Sequence, residues 1–135
     1  MSSVIVVGGG AAGMMAAVAA GRREHRVTLL EKNEKLGKKI YITGKGRCNF
    51  TNACDVEQLF GAVVSNPKFL YSAIYGFDNS MTMEFFREMG MPWKVERGNR
   101  VFPVSDHSSD VTKALERAMD QAGVKVLLQT EVKDI

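Results

Sequence analysis

Val4-Ile5-Val6-Val7-Gly8-Gly9-Gly10-Ala11-Ala12-Gly13, followed by Val27-Thr28-Leu29-Leu30-Glu31, decides the fold of this chain. The continuous apolar run Val4–Val7 predicts a parallel strand covered on both faces. It leads into Gly8-x-Gly10-x-x-Gly13, after which Ala11 to Ala20 reads as a helix of small residues and Met, with Gly21 placed to end it at C′. A right-handed crossover then brings in a second strand, Val27–Leu30, ending on Glu31. Each residue of the fingerprint has a physical task. Gly8 permits the tight strand-to-helix turn, and Gly10 lets a pyrophosphate approach the backbone. Gly13 lets the helix press on the sheet, and Glu31 accepts hydrogen bonds from a ribose diol. The helix N-terminus offers free N–H groups and a positive dipole end to the phosphates. A glycine triplet alone is weak evidence. The whole strand–turn–helix–strand–acid order points to dinucleotide binding.

Composition narrows the class further. The 135 residues are 45% hydrophobic and 24% charged, as in an ordinary globular domain with a real core. The apolar runs are too short for a membrane-spanning helix, and Met1-Ser2-Ser3 lacks the basic start of a signal peptide. With Cys48 and Cys54 as the only cysteines, no disulfide framework is implied, and a cytoplasmic location is expected. Two cysteines with His25 and His107 show no zinc-like spacing, so no metal is expected. Residues 22 to 47 hold nine Lys/Arg against three Glu, a local charge of +6 in a chain of net +3. A nucleic-acid surface is one reading and a solvated basic face another. Sparse aromatic interleaving, directly after the fingerprint, favours the phosphates of a cofactor. The expected partner is therefore a small-molecule substrate, with neither nucleic acid nor membrane.

The remaining sequence fills in a single α/β unit over 1–135. Residues 32–55 read as a long loop without period, punctuated by Gly37, Gly44 and Gly46, and a loop of that length is usually functional. Residues 56–103 read as a helical insert and a hairpin. Asp55 and Gln58 form a capping-box pattern, Asn66-Pro67 opens a second helix, and Asp78 or Ser80 a third that closes at Gly90. Trp93–Glu96 and Arg100–Phe102 flank the turn residues Gly98-Asn99. Ser108 or Ser109 is expected to cap a final helix ending at Gly123, with strands at Val124–Leu128 and from Glu131. That arrangement contains one mononucleotide-binding half of a doubly wound fold. The expectation is the N-terminal portion of a longer protein.

The run Thr43-Gly44-Lys45-Gly46-Arg47-Cys48-Asn49-Phe50-Thr51-Asn52 resembles the signature of BaiN/YhiN-type flavoproteins, also described as aminoacetone-oxidase-family oxidoreductases. Arg100-Val-Phe-Pro-Val-Ser105 and Thr130-Glu-Val132 resemble further blocks of that family. The resemblance implies a Rossmann-like FAD-binding βαβ in a truncated two-dinucleotide-type fold, with NAD(P)H as electron donor. It assigns Gly8, Gly10, Ala12 and Gly13 to the pyrophosphate and Glu31 to the adenosine ribose. Lys32, Gly37 and Lys39 would lie along the ribose–phosphate stretch. Gly46, Arg47, Cys48 and Asn49 would approach the flavin, and the Val132 backbone the adenine.

The chemistry of Lys39 and Arg47 suits an anionic cofactor, and Gly44-x-Gly46 permits close backbone approach. Cys48 beside Arg47 has the makings of a low-pKa redox thiol, alone or with Cys54, but packing against the cofactor is the favoured reading. His107 and Tyr41 can donate or titrate, although core or surface roles fit both better. Two functions follow. One is a flavoprotein oxidoreductase passing hydride from NAD(P)H through FAD to an organic acceptor, such as an activated C=C. The other is a non-catalytic dinucleotide-binding module or an inactive fragment.

Overall fold

A computed structural model describes all residues from Met1 to Ile135. Strand β1 (Ser3–Val7) leads through the glycine turn into α1 (Ala11–Gly21) and then β2 (Arg26–Leu30). β1 and β2 pair in parallel from Ser3↔Arg26 to Val7↔Leu30. After a long excursion the chain returns along α6 (Ser108–Gln121) to β6 (Lys125–Leu127), which pairs in parallel with β2. The sheet order is β1-β2-β6.

The excursion holds α2 (Lys38–Ile42), β3 (Thr51–Asn52), α3 (Val56–Gly61), α4 (Tyr71–Gly76), α5 (Asn79–Glu88), β4 (Trp93–Glu96) and β5 (Arg100–Pro103). Strands β3, β5 and β4 form a second, antiparallel sheet in that order. The β4–β5 hairpin turns through Gly98 and Asn99, both in the left-handed region, as the Gly-Asn pair requires.

Strand alternation explains where the core lies. Val4, Val6, Val27, Leu29 and Val126 point to the face covered by α1 and α6, which contribute Met14, Ala17, Val18, Val111, Ala114, Leu115, Ala118 and Met119. The opposite face is bare: Ile5 is 64% exposed and Val7 54%. This corrects the expectation of a strand covered on both faces. Here β1 lies at the sheet edge and has helices on one side only.

Other expectations are refined by packing. Gly21 is the last residue of α1 rather than a left-handed C′ residue. A Cβ on it would stand 2.6 Å from the Ala122 carbonyl oxygen, so its role is the close approach of α1 to the end of α6. Gly123 does take the left-handed conformation after α6. The cap of α6 is His107, not Ser108 or Ser109, because Ser108 turns its hydroxyl to donate to the Tyr41 carbonyl. The supposedly aperiodic loop contains α2, a single turn too short to show a period. Asn66 adopts a left-handed conformation before a 3₁₀ turn (Pro67–Leu70) that feeds α4, so the expected second helix starts in two steps. Asp78 does cap α5, accepting from the Met81 N–H at 2.8 Å. Residues 131–135 form no strand, and β6 ends at Leu127.

Candidate functional site

The glycine turn is held from both sides. Gly8 takes φ +100°, and its N–H donates to the Leu30 carbonyl at 2.8 Å, tying the turn to the end of β2. A Cβ on Gly13 would overlap the Gly8 carbonyl oxygen, so only glycine lets α1 start this close to the turn. Gly10 is different: a Cβ there meets nothing within 4 Å. No protein atom demands glycine at Gly10. Its free space lies at the N-terminus of α1, where the first helical bond is Met14 N–H to Gly10 O, 3.0 Å. The Ala11, Ala12 and Gly13 amides precede that bond, and no acidic residue occupies the first turn. This is a cradle suited to an anion with a backbone-hugging approach.

Glu31 sits at the end of β2, 8% exposed. One carboxylate oxygen accepts the Gly9 N–H at 2.9 Å and the other the Asn33 N–H at 2.7 Å. Burial acts to raise its pKa, but the N–H groups of Asn33 and Gly9, with Lys32 nearby, outweigh that and hold it below the ordinary glutamate value. A carboxylate has about four lone-pair sites. Two remain free to accept further hydrogen bonds. A cleft of about 310 Å³ opens beside it, lined by Val7, Gly8, Leu30, Glu31, Lys32, Thr130, Glu131 and Val132. The 127–132 segment is fixed there by backbone bonds from Glu31 N–H to Leu127 and from Thr130 N–H to Glu31. Gly8, Glu31, Lys32 and Val132 are thus gathered around one cleft, with Gly10, Ala12 and Gly13 at the adjoining helix start.

Two features escaped sequence reasoning. Gly9 is buried, its Cβ position blocked by Leu36, and it supplies the N–H that fixes Glu31. Thr130 and Glu131 line the cleft. The middle glycine of the Gly8–Gly10 run was the available signal for the first.

The remaining expected residues lie on and around α2 and in the loop that follows it. Gly37, at φ +67°, donates its N–H to the Gly9 carbonyl at 2.9 Å and precedes α2, on which Lys39 is exposed. The segment 43–49 then folds into a tight left-handed loop in which Gly44, Lys45, Gly46 and Cys48 all have positive φ. Asn49 spends its amide on the carbonyls of Thr51 (2.8 Å) and Val101 (3.0 Å). Cys48 is 5% exposed, and burial pushes its thiol pKa up despite a hydrogen bond with Thr43. That is the opposite of an activated thiolate and agrees with a packing role. Both cysteines are free.

Arg47 is already engaged by partners within the chain. Its guanidinium is ion-paired with Glu96 and Asp106 and lies 4.0 Å over the Phe102 ring. A phosphate would have to compete with two carboxylates for it. The basic segment is further neutralised where Lys38 pairs with Glu34 at 3.0 Å. No group of three or more potential metal-ligating side chains is present, and no helix is long and apolar enough to cross a membrane.

Comparison with known proteins identifies the fold and the family. The HI0933-like protein Rossmann domain matches residues 2–135. A 3-dehydro-bile acid delta(4,6)-reductase of Clostridium scindens is 37% identical over 108 residues, 79% of this chain and 25% of its own. A ribosomal RNA dihydrouridine synthase of Escherichia coli is 33% identical over 116 residues, 85% of this chain and 28% of its own. The chain therefore spans about a quarter of the length of these curated relatives. Among solved structures, an open-form flavocytochrome c3 fumarate reductase superposes with TM-score 0.57 at 23% identity, covering 95% of this chain and 27% of its own. Thermovibrio ammonificans THI4 does so with TM-score 0.56 at 15% identity, covering 94% and 37%. Those likenesses establish the shared Rossmann fold. With a family match along nearly its whole length, this chain belongs to the HI0933-like family, as a Rossmann domain of that family.

Proposed function

We propose that this chain supplies the FAD-binding part of a flavoprotein oxidoreductase that takes hydride from NAD(P)H and delivers it to an activated C=C bond of a small organic acceptor. The observation that carries the reading is Gly10. Beyond its immediate neighbours in the chain, no protein atom comes within 4 Å of a Cβ placed there, at the mouth of a helix whose first amides precede its first hydrogen bond. In this reading the amides of Ala11–Gly13 hold the pyrophosphate, and Glu31 holds the adenosine ribose with the lone pairs its two backbone partners leave free. Val132 borders the adenine from the far wall of the cleft, and Lys32 and Lys39 place positive charge along the phosphates. Gly46, Cys48 and Asn49 shape the wall toward the flavin. When bound, the flavin supplies the two-electron chemistry, while these residues bind and orient it.

The acceptor class is supported by the names of two relatives. A delta(4,6)-reductase and a dihydrouridine synthase both imply saturation of a conjugated double bond. A small acceptor is favoured over RNA because aromatic side chains are sparse in the basic 22–47 stretch, whereas single-stranded nucleic acid is usually held by stacking on them. The protein carrying this chain, purified at the full length its gene encodes, is expected to show the two-band visible spectrum of oxidised flavin. It should lose that spectrum on anaerobic addition of NAD(P)H and regain it with an enone acceptor. A protein that takes up no flavin overturns the reading. Reoxidation by RNA and by no small enone overturns the acceptor class alone.

A further inference from the structure

Within the flavin-site reading above, on which this inference rests, we infer that Arg47 is a positioning residue: it clamps the 43–49 loop to the β4–β5 hairpin and does not serve as a phosphate counter-ion. Four charges alternate across three separate pieces of chain. Arg47 on the loop donates to Asp106 in the turn after β5 (Nε to Oδ1, 2.8 Å) and pairs with Glu96 at the end of β4. Lys94 on β4 meets Asp106 at 2.7 Å and Glu96 at 3.4 Å. The guanidinium also stacks over Phe102 of β5, which fixes its plane as well as its charge. These contacts join residues 49 and 59 positions apart in sequence, so they act on tertiary placement, not on local turn formation.

The loop needs such a clamp. Lys45 and Cys48 are non-glycine residues held at φ +57° and +59°, a conformation that persists only where surroundings impose it. Internally the loop has two backbone hydrogen bonds, Arg47 N–H to Gly44 O at 3.2 Å and Cys48 N–H to Thr43 O at 3.1 Å, and the Cys48 side chain anchors it in the core. Asn49 and Phe50 tie its far end to Val101. Arg47 is the side chain that ties the loop itself to the hairpin through charge. The backbone of Gly44 to Cys48 is thereby presented preformed, which saves a ligand the cost of ordering it.

The two roles for Arg47 separate cleanly by experiment. In the full-length protein, Arg47→Ala, Arg47→Lys and the double variant Glu96→Gln/Asp106→Asn are compared by hydrogen exchange without added flavin and by FAD titration. A clamp requires that Arg47→Ala and the carboxylate double variant both speed exchange of the Arg47 and Cys48 amides. Both should also weaken FAD binding in parallel, by about tenfold, the scale of one lost preorganising contact. Arg47→Lys should recover part of each effect, since it keeps the charge and loses the fork and the stacking. A counter-ion requires the opposite split: Arg47→Ala loses FAD while the double variant, with its guanidinium released, binds as well as before or better. That split overturns the inference, as does unchanged exchange in both variants. Failure of the unmodified protein to bind FAD overturns the functional reading and the positioning role with it, whereas normal binding with unchanged exchange in the variants overturns the clamp alone.

Discussion

Replacing Glu31 by Gln keeps the size of the side chain and removes its charge, at a position where both oxygens are already in use. One accepts the Gly9 N–H and the other the Asn33 N–H, and the residue is 8% exposed. Glutamine offers a single acceptor oxygen, so one of those two backbone donors must face an NH₂ group. The other bond falls from charge-assisted to neutral. A buried donor left unpaired costs about 1–3 kcal/mol, and the weakened bond adds less. The variant should therefore unfold about 2–3 kcal/mol more easily at neutral pH, with a urea midpoint about 1–2 M lower at unchanged slope. The pH dependence has a definite sign. Glu31 ionises below the ordinary glutamate value, so its contribution is present above that value and is lost as pH falls through the lower, folded one. The unmodified protein should lose this part of its stability on acidification below the ordinary value of 4.5, and Glu31→Gln should show no such component. Because the same carboxylate is assigned to the ribose, FAD affinity should fall as well, by about tenfold to a hundredfold. Equal urea midpoints for the two proteins at neutral pH would refute the tie between Glu31 and the glycine turn. Equal FAD affinities would refute the ribose assignment.

Gly10→Val should leave the unfolding midpoint of the apo-protein almost unchanged, since extended φ −83°, ψ −173° suits valine and its Cβ meets nothing, yet flavin uptake should be abolished; retained flavin would remove Gly10 from the site. Gly21→Ala gains about 1 kcal/mol of helix propensity but drives a Cβ to 2.6 Å from the Ala122 carbonyl oxygen. Backbone atoms yield poorly, so overpacking of about 1–3 kcal/mol should win, and thermal denaturation should report a net loss. Cys48, buried with a raised pKa, should react with a thiol reagent far more slowly than half-buried Cys54 in the native protein, with the two rates converging in denaturant. Faster labelling of Cys48 would contradict its packing role.

The parts of this fold that were legible from sequence are those set by local chemistry. The glycine turn, both of its strands and α1 follow from β-branched runs and three spaced glycines, and Asp78 announces α5 by its capping chemistry. What sequence did not reveal depends on partners distant along the chain. The reason for Gly21 lies at Ala122, about a hundred positions on. The engagement of Arg47 depends on Glu96 and Asp106, which a reading of the Gly44–Asn49 motif has no means to connect. Single-turn α2 falls below the length at which hydrophobic period is readable. The bare outer face of β1 also defeats a rule, because Val and Ile at every position look the same whether one face is covered or two.

The central claim is that a dinucleotide lies with its pyrophosphate on the start of α1 and its adenosine against Glu31 and Val132. Titrating FAD into the isotopically labelled full-length protein while following the backbone amides of this domain tests this most directly. The expected result is a saturable shift of the Ala11, Ala12 and Gly13 amides, with Gly9, Lys32 and Val132 moving in step and the Gly10→Val variant silent. Shifts confined to the exposed lysines, or none at those amides at any FAD concentration, would contradict the account.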